Sequence, residues 1–456
     1  MRKIKILIIV FFSFHTLIEA QNLKKCNATK LMNYEMENSP EYKNARQENI
    51  IINREFINTQ KEQPTISIPI VVHIIYKSNH PNIGYGTNIP IEQVEDAIRI
   101  LNEDYSKTNP EFPNPLAVGG RNTFLNQSAN ANIEFCLANI DPNGNATTGI
   151  IRTLATNSNG TFDADDNTDA NAMKLTSLGG NDGWTQSKYL NIWICDLVNS
   201  QGGGTTLGYA YLPGLPSWNA WKDGLVVDYR YFGTTGMAAP SSDGRTPTHE
   251  IGHYLGLNHT FAEDGWNSPC VDSQGNLQCC DNDDSNVFDT PATDGIYWGF
   301  VNSTSNRNTC NDLQYGFSSD LLDMDENYMS YAANTWMFTQ DQVDEMQATL
   351  YGYRNTLRNS IANGTTVNCS GTVNINNITN KNLVIYPNPA KTTFTIKTAD
   401  SEKIQSIYVR NILGDIVYEK SNSFSNSVSI SNLTNGIYFI HIKTPKQTYM
   451  NKVIVH

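Results

Sequence analysis

Positive charge and long apolar runs are both scarce in this sequence. Its 456 residues carry 32 Lys and Arg against 45 Asp and Glu, a formal net charge of -13. Proteins that bind nucleic acid usually present a basic face, so the composition argues against a nucleic-acid partner. Beyond the N-terminus no stretch is apolar enough for a membrane helix, so we expect no transmembrane anchor. The 39% of apolar residues is nevertheless enough for a sizeable core.

The N-terminus holds the one continuous apolar run. Three basic residues precede the segment from Ile6 to Phe14, and Ala20 is a candidate cleavage point. This pattern is typical of a secretory signal peptide, and the run is too short to span a bilayer. A buried N-terminal helix or a lipid-modified start is the alternative. We predict that residues 1–20 are a signal peptide.

Cysteine occurs in an even number, which in an exported chain suggests disulfides. Four of the eight lie between 270 and 310, where two bridges would staple a loop-rich region. Four cysteines allow three pairings, and the sequence does not choose among them. The eight are Cys26, Cys136, Cys195, Cys270, Cys279, Cys280, Cys310 and Cys369.

Composition divides the rest of the chain into four regions. Residues 21–63 are polar, with a helix-like stretch near Glu41 to Ile52, and are predicted to be a removable pro-segment. Residues 64–362 hold the strongest strand and helix patterns. Residues 363–382 are rich in Asn, Thr and Gly, as in a linker. Residues 383–456 hold six or seven short strand-like runs between turn residues, which predicts a small all-β sandwich.

The pattern of residues 64–362 predicts an α+β architecture. Ile66–Tyr76 is a β-branched strand, and Ile91–Tyr105 has apolar residues at helical spacing. Thr248 is a candidate N-cap for a helix that ends at Gly256. Further strands are predicted at Asn132–Leu137, Leu190–Cys195, Leu207–Leu212 and Leu225–Val227, and helices at Thr248–Leu257 and Thr339–Asn359.

The densest chemistry lies in the segment HEIGHYLGLNH. Residues i and i+4 share a helix face, so His249 and His253 can present ring nitrogens to one metal ion. Gly256 lets the chain turn sharply, and His259 then returns as a third ligand. Three neutral imidazoles and a water form a tetrahedral catalytic zinc site. Glu250 lies beside the open position, where it can act as general base and then as general acid.

Two other interpretations of this segment are a structural zinc site and a surface helix with incidental histidines. A structural site would not need Glu250 and would usually recruit a fourth protein ligand, often Cys. The pattern therefore favours hydrolysis by a zinc-activated water. The competing functions are an adhesin that keeps zinc without hydrolysis and a zinc hydrolase of non-peptide bonds.

The extended motif resembles that of the metzincin peptidases, in which a Met-turn follows. The Met-turn candidate is Asn327–Tyr331, with the sequence NYMSY. The resemblance implies that Met329 forms an apolar floor beneath the histidines. It also implies that Tyr331 lies near the metal and stabilises the oxyanion. Ordinary core packing is the alternative for both residues.

More closely, residues from about 60 to 360 resemble the pappalysin family, in its ulilysin-like bacterial branch. The resemblance implies a zinc-dependent endopeptidase that acts on protein or peptide substrates. The implied fold is zincin-like: a twisted mixed sheet, a backing helix, the active-site helix and an irregular, disulfide-stapled C-terminal subdomain. The matching segments are MK…GGNDGW…YLNIWIC (173–195), LGYAYLPG (207–214), DGLVV (223–227), HEIGHYLGLNHTF (249–261), DTPA (289–292), NYMSY (327–331) and FTQDQVDEM (338–346).

The resemblance also assigns an upper-rim strand, along which substrate lies antiparallel through main-chain hydrogen bonds. The corresponding residues are Leu207, Gly208, Tyr209, Ala210, Tyr211 and Leu212. Relatives that cut beside arginine carry an acidic residue shortly after the Met-turn tyrosine. This chain has AANTW at 332–336 instead, so the sequence does not support a preference for basic residues.

A latency segment is a further implication of the family. Cys26 matches the position of the family's cysteine that caps the zinc, and a thiolate is a good zinc ligand. The alternative is that Cys26 is disulfide-bonded, since setting it aside leaves seven cysteines and therefore one unpaired.

Calcium is the second ion that the resemblance implies. The candidate ligands supply hard oxygen atoms in a loop; a solvated acidic loop is the alternative. They are Asp281, Asp283, Asp284, Asp289 and Thr290.

The tail resembles the C-terminal sorting domain of the type IX secretion system. The matching pieces are YPNP (386–389), ILG (412–414), LTNGIY (433–438) and KVIV (452–455). This implies a Gram-negative bacterium that secretes the protein, free or attached to its surface, with the secretion machinery as a partner. A carbohydrate- or protein-binding β module is the alternative. We expect a monomer.

Overall fold

The computed structural model describes residues 26–59, 64–200, 205–262, 286–360, 383–398, 404–411, 416–421, 427–443 and 448–455. The predicted signal peptide and linker lie outside these ranges. The α-helices of the described residues are α1 (Ala28–Asn38), α2 (Pro40–Ile57), α3 (Ile91–Tyr105), α4 (Thr246–Tyr254), α5 (Gln340–Tyr351) and α6 (Asn355–Arg358). Short 3-10 helices span Pro115–Val118, Asp169–Lys174, Thr176–Leu178, Ser217–Lys222, Gly236–Ala238 and Asp312–Tyr315.

One mixed sheet organises the part of the chain before residue 360. Its main strands are ordered β2-β1-β5-β7-β6, with β3 beside β1 and β4 beside β5. All pairings are parallel except that of β6 with β7, so an antiparallel strand forms one edge. The strands are β1 (Ile66–Tyr76), β2 (Ile133–Leu137), β3 (Ile150–Leu154), β4 (Thr161–Asp163), β5 (Leu190–Val198), β6 (Gly208–Ala210) and β7 (Leu225–Asp228).

The alternation of side chains along the central strands separates two cores. Ile192 and Ile194 of β5 face one core, where the sheet packs against α3, α4 and α5. Trp193 and Cys195 face the other core, as period-two alternation requires. Both faces are covered, which explains why β1 reads as an almost unbroken apolar run. The predicted α+β architecture is confirmed, and β1 and α3 have the bounds predicted from the sequence.

The N-terminal helices α1 and α2 pack onto this sheet and onto α5. Tyr42 is fully buried, and its hydroxyl donates to the Leu212 carbonyl at 3.3 Å. Glu35 pairs with Lys222, and the Asn53 amide donates to Glu345 at 2.8 Å. The predicted helix near Glu41 to Ile52 is thus part of the longer α2, whereas α1 was not predicted.

Two helix bounds differ from prediction. α4 begins at Thr246, because Pro247 suits a first helical turn; Thr248 is inside the helix and donates to Asp104 instead of acting as N-cap. α5 begins after Thr339, which forms a capping box with Gln342. The predicted single helix is interrupted after Tyr351 at Gly352, a poor helix former, and resumes as α6.

The C-terminal part, Ser370–His456, is a separate compact unit. Its described residues form two antiparallel sheets, ordered β11-β10-β13-β14 and β12-β9-β8, so the predicted all-β fold is confirmed. Among the described residues, no helix has the length and apolarity to cross a membrane. The strands are β8 (Leu383–Tyr386), β9 (Thr393–Thr398), β10 (Ser406–Arg410), β11 (Ile416–Ser421), β12 (Ser427–Ser429), β13 (Gly436–Lys443) and β14 (Thr448–Val455).

Candidate metal centre and active site

Three histidine side chains converge on one point beneath β6. The Nε2 atoms of His249 and His259 are 2.9 Å apart, and that of His253 is 3.1 Å from each. The spacing of α4 brings the first two together, and the turn after the helix returns the third. An ion about 2.0–2.1 Å from each nitrogen would separate tetrahedral ligands by a little over 3 Å, which matches the observed triangle.

The outer ring nitrogens show why this triangle suits a cation. Nδ1 of His249 lies 2.7 Å from the Tyr328 carbonyl, and Nδ1 of His253 lies 2.7 Å from the Leu257 carbonyl. A carbonyl only accepts, so both Nδ1 atoms carry the proton and both Nε2 atoms point lone pairs inward. Burial also lowers the pKa of His253 to about 4, which keeps this ring neutral. Neutral imidazoles oriented by outer hydrogen bonds are the usual zinc ligands, so these residues fit a zinc ion.

Glu250 and Cys26 complete the cluster. Cys26 Sγ and the three ring nitrogens all lie within 4.8 Å of one another, and the thiol donates to Glu250 Oε2 at 3.4 Å. Burial raises the pKa of the Glu250 carboxyl well above its usual range, although the thiol and the Ala210 amide lower it. Cys26 is a free, buried thiol, which excludes the disulfide alternative. A buried carboxylate beside three imidazoles is poised to take a proton.

Cys26 reaches the cluster because the N-terminal segment extends along the edge strand. Cys26 forms a parallel bridge with Gly208, and the Asn27 amide donates to the Gly208 carbonyl at 3.2 Å. Of the predicted rim residues, Gly208–Ala210 form β6, with Leu207 just before it. The side chains of Tyr209 and Tyr211 are buried in the core behind the sheet, so the backbone is what this rim offers.

The predicted Met-turn lies directly under α4. A Cβ atom at Gly252 would overlap Met329 Sδ, so methionine and helix are in close contact. Asn327 holds the turn: its Oδ1 accepts from the Met329 amide at 2.9 Å and its Nδ2 donates to Gln342 at 2.8 Å. Gly256 has φ +106°, a value that favours glycine. The chain can therefore leave α4 sharply.

We expect Gly252→Ala to destabilise the protein by about 1–3 kcal/mol, because the added methyl overpacks the Met329 contact. The matching fall in melting temperature is roughly 2–4 °C per kcal/mol in a chain of this size. The double variant Gly252→Ala/Met329→Ala should be less destabilised than the sum of the single variants, because the two groups share one contact. Strictly additive losses in thermal unfolding would contradict the contact.

Aromatic side chains surround one side of the histidine triangle. Tyr331 is buried, with its ring 4.9 Å from that of His259 and 5.6 Å from that of His249. Phe261 stacks on His259 at 4.7 Å, and Trp298 lies 5.1 Å from Tyr331. The Tyr331 hydroxyl donates to the Cys26 carbonyl oxygen at 3.5 Å. This tyrosine is therefore within reach of a main-chain carbonyl group next to the histidines.

A small cavity of about 40 Å³ lies beside the Glu250 carboxylate. Its lining includes His249 and Glu250, together with Leu207, Thr246 and Thr335. The remaining lining residues are Asp243, Arg245, Tyr328 and Ser330.

A buried ionic network at the start of α4 was missed by the sequence analysis. Arg245 pairs with Asp104 at 2.6 Å and with Glu111 at 3.1 Å. Asp104 also accepts from Thr248 at 2.6 Å and from the Tyr328 hydroxyl at 2.9 Å. It therefore ties α3, α4 and the Met-turn together. One signal was available: Asp104 lies three residues after Leu101, on the apolar face of α3.

The calcium prediction is only partly within the described residues. Asp281, Asp283 and Asp284 lie outside them. Asp289 Oδ2 accepts from the Asp341 amide at 3.0 Å at the start of α5, and burial raises its pKa to about 6. Thr290 follows it. In the part of the chain that the structure describes, Cys26 and the three histidines form a group of side chains that could hold a metal ion. The described calcium candidates, Asp289 and Thr290, are not part of such a group.

The cysteines divide into two classes. Cys195 is free and fully buried in β5. Cys136 and Cys310 are disulfide-bonded. If Cys26 is a zinc ligand, one of the other seven cysteines must be unpaired, and Cys195 accounts for it. The pairing predicted between 270 and 310 involves Cys270, Cys279 and Cys280, which lie outside the described residues.

Solved structures of mirolysin match this fold over their whole length. Mature mirolysin of Tannerella forsythia, in complex with a cleaved peptide, is 34% identical; the match covers 67% of this chain and 100% of that one, with a TM-score of 0.54. A promirolysin mutant of the same organism is 30% identical, covering 76% and 100%, with a TM-score of 0.56. A family model described as pregnancy-associated plasma protein-A, peptidase family M43, matches residues 177–351. This chain belongs to the pappalysin family. It is therefore a metallopeptidase by family.

Curated pappalysin-like relatives are extracellular metalloproteases of fungi. That of Arthroderma otae is 40% identical over 106 residues, 22% of this chain and 31% of the relative. That of Arthroderma gypseum is 29% identical over 145 residues, 31% of this chain and 42% of the relative. The matched part thus spans less than half the length of these relatives.

A second family model, the secretion system C-terminal sorting domain, matches residues 384–456. This confirms the resemblance of the tail. Such a domain belongs to the type IX secretion route of Gram-negative Bacteroidetes, and the chain is accordingly an extracellular protein.

Proposed function

We propose that this chain is a secreted zinc-dependent endopeptidase, synthesised as a latent precursor, that hydrolyses peptide bonds in extracellular proteins. The observation that carries the proposal is the triangle of three buried imidazole nitrogens, 2.9–3.1 Å apart, with the Glu250 carboxylate beside it. His249, His253 and His259 would hold the zinc. The edge strand favours a peptide over a non-peptide substrate, because an extended peptide can pair with a strand edge.

The chain's own groups have distinct tasks in this proposal. A zinc ion held by the three histidines would supply a water of lowered pKa as nucleophile and would act as a Lewis acid toward the scissile carbonyl. Glu250 takes the proton of the attacking water and passes it to the leaving amine. Tyr331 lies where its hydroxyl can donate to the developing oxyanion, an interaction that counts most when it is preorganised. Met329 supports the histidines from below.

Substrate orientation follows from the proposed pairing with β6. An antiparallel peptide has its C-terminal half beside Leu207 and its N-terminal half beside Ala210 and beyond. The small cavity lined by Thr246 and Thr335 would then receive the side chain just after the scissile bond. This assigns substrate contact to Leu207–Leu212.

Latency is the second part of the proposal. The Cys26 segment runs parallel to β6, whereas a substrate is proposed to bind antiparallel. The backbone of this segment therefore has the reverse orientation at Glu250 and is not positioned for cleavage. Cys26 Sγ lies where a fourth zinc ligand would block the water. Residues 21–63 would act as a pro-segment after removal of the signal peptide at residues 1–20. The calcium ion implied for the loop at 281–290 stays a prediction.

The direct test is hydrolysis by the activated protein. The chain is activated by limited trypsin treatment and incubated with gelatin, with and without a zinc chelator, and new termini are mapped by mass spectrometry. We expect cleavage within the chains, abolished by chelation and restored by stoichiometric zinc. Cleavage that persists after zinc has been removed, as verified by elemental analysis, would contradict the proposal.

Zinc removal should also lower stability. A ligand at a thousand times its dissociation constant stabilises by about 4 kcal/mol, so the melting temperature of the activated protein should fall by roughly 10 °C on chelation. His253→Ala should remove most of this zinc-dependent shift. The matched control is His80→Ala, because His80 bonds Thr87 at 3.1 Å, apart from the cluster. An equal zinc shift in both variants would argue against the site.

A further inference from the structure

We propose that Trp298, with Ile296 and Phe261, forms an apolar subsite that selects a large apolar or aromatic side chain on the N-terminal side of the scissile bond. This inference rests on the proposed function and adds a specificity determinant to it. The inference is based on the aromatic residues that lie on one side of the histidine triangle.

The latent segment marks the position of this subsite. Cys26, Ala28, Phe261 and Tyr331 form one buried cluster, with Ile296 packed against it. Ala28, two residues beyond Cys26, begins α1, and the parallel bridge between Cys26 and Gly208 directs the chain toward Ala210 just before that helix. In a substrate of opposite direction, that same place is occupied by residues N-terminal to the scissile bond. The Ala28 methyl is therefore a stand-in for a substrate side chain one or two residues before that bond.

Ala28 is only 1% exposed, so its methyl group fills its own place in the cluster. Trp298 keeps 40% of its surface exposed although its ring lies 5.1 Å from Tyr331. Part of this indole wall is therefore uncovered when the pro-segment is in place. A leucine or phenylalanine in place of alanine would cover that wall, and buried apolar area stabilises by about 25 cal/mol per Å².

The wall is held in place by its own loop. The Gly299 carbonyl accepts from the Ala333 amide at 2.9 Å, and the Asn334 side chain bonds both main-chain groups of Val301 at 2.8 Å. Arg307 donates to the Gly295 carbonyl at 3.1 Å. The bonds of Ala333 and Asn334 fix the segment carrying Trp298 to the residues that follow the Met-turn. The subsite is thus attached to the same segment as Tyr331.

Charge supports an apolar occupant. The side chains that surround Ala28 in the cluster are those of Phe261, Tyr331 and Ile296, and none carries a charge. A charged substrate side chain would lose hydration there without a partner. The cavity lined by Thr246 and Thr335 also has the charged residues Asp243 and Arg245 in its lining, so the two sites differ in chemistry.

The test uses the trypsin-activated protein and a set of fluorogenic peptides that differ only at the two positions before the cleaved bond. Each position carries Gly, Leu, Phe, Lys or Asp. For one of the two positions we expect kcat/KM to be about tenfold higher with Leu or Phe than with Gly, as for partial burial of one such side chain. Trp298→Ala should remove most of that ratio, and Trp298→Phe should retain it.

Phe300→Ala is the matched control. Phe300 is half exposed on the same loop, but it faces Gly119 instead of Tyr331, so its loss should leave the ratio intact. Equal rates for Gly, Leu and Phe, or a ratio unchanged in Trp298→Ala, would overturn the subsite while hydrolysis stands. Complete absence of cleavage by the zinc-loaded wild-type protein would overturn the proposed function and this inference with it.

Discussion

Glu250→Gln should lower kcat on a peptide substrate by a factor of about 10²–10⁴, the usual contribution of general acid–base catalysis. Glutamine has the same shape but cannot accept the proton of the attacking water. The proposed zinc is held by the ring nitrogens of the three histidines and not by this side chain, so zinc binding should persist. The measurement is steady-state hydrolysis after identical trypsin activation, with zinc content determined in the same samples.

Two controls make this result specific to the carboxylate. Glu103→Gln is the matched substitution on α3, where the side chain is part of an exposed pair with Arg99; its activity should equal that of the wild-type protein. Melting temperatures of both variants exclude a general loss of folding. A zinc-loaded Glu250→Gln enzyme with more than roughly a tenth of wild-type kcat would mean that another group moves the proton.

The sequence predicted the fold and the clustering of the three histidines because both depend on local patterns. The apolar run of β1 and the helical period of α3 follow from which faces are buried. His249 and His253 share a helix face by spacing alone. Gly256 at positive φ is the local feature that lets the chain turn back to His259. None of these inferences needs knowledge of a distant segment.

What the sequence could not predict depends on contacts between distant segments. The Tyr328 carbonyl that orients the His249 ring is a backbone atom from a distant segment. Every residue has such an atom, so no side-chain pattern marks it. Asp104 stood on an apolar helix face, but its partners Arg245 and Thr248 lie more than a hundred residues away in the chain. The proposed apolar subsite likewise depends on the loop that brings Trp298 to Tyr331.

The direction of the Cys26 segment is the most consequential of these tertiary features. The motif around Cys26 indicates a thiol near a metal, but only the pairing with Gly208 shows that this segment runs parallel to β6. Helices α1 and α2 then hold it with buried contacts, such as the Tyr42 hydroxyl on the Leu212 carbonyl. Latency in this proposal therefore has two components, a sulfur ligand and a docked pair of helices.

Cys26→Ala in the full-length precursor should raise its activity by on the order of 10²-fold without added protease. Removing the sulfur withdraws one ligand worth a few kcal/mol, and each 1.4 kcal/mol changes the population of the open state tenfold. The docked helices remain, so activity should stay below that of the trypsin-activated protein. The measurement is the initial rate of hydrolysis of a small fluorogenic peptide. Such a peptide occupies a shorter part of the cleft than a protein substrate does.

Cys195→Ala is the matched control, because Cys195 is the other free, buried thiol of the described chain and lies in β5, away from the imidazoles. It should leave the precursor latent. Adding the catalytic change, as Cys26→Ala/Glu250→Gln, should remove the gained activity and so exclude a contaminating protease. If Cys26→Ala and wild-type precursors hydrolyse the peptide at the same low rate, the docked helices alone maintain latency and the sulfur is dispensable. If both are already fully active, the segment does not block the cleft at all.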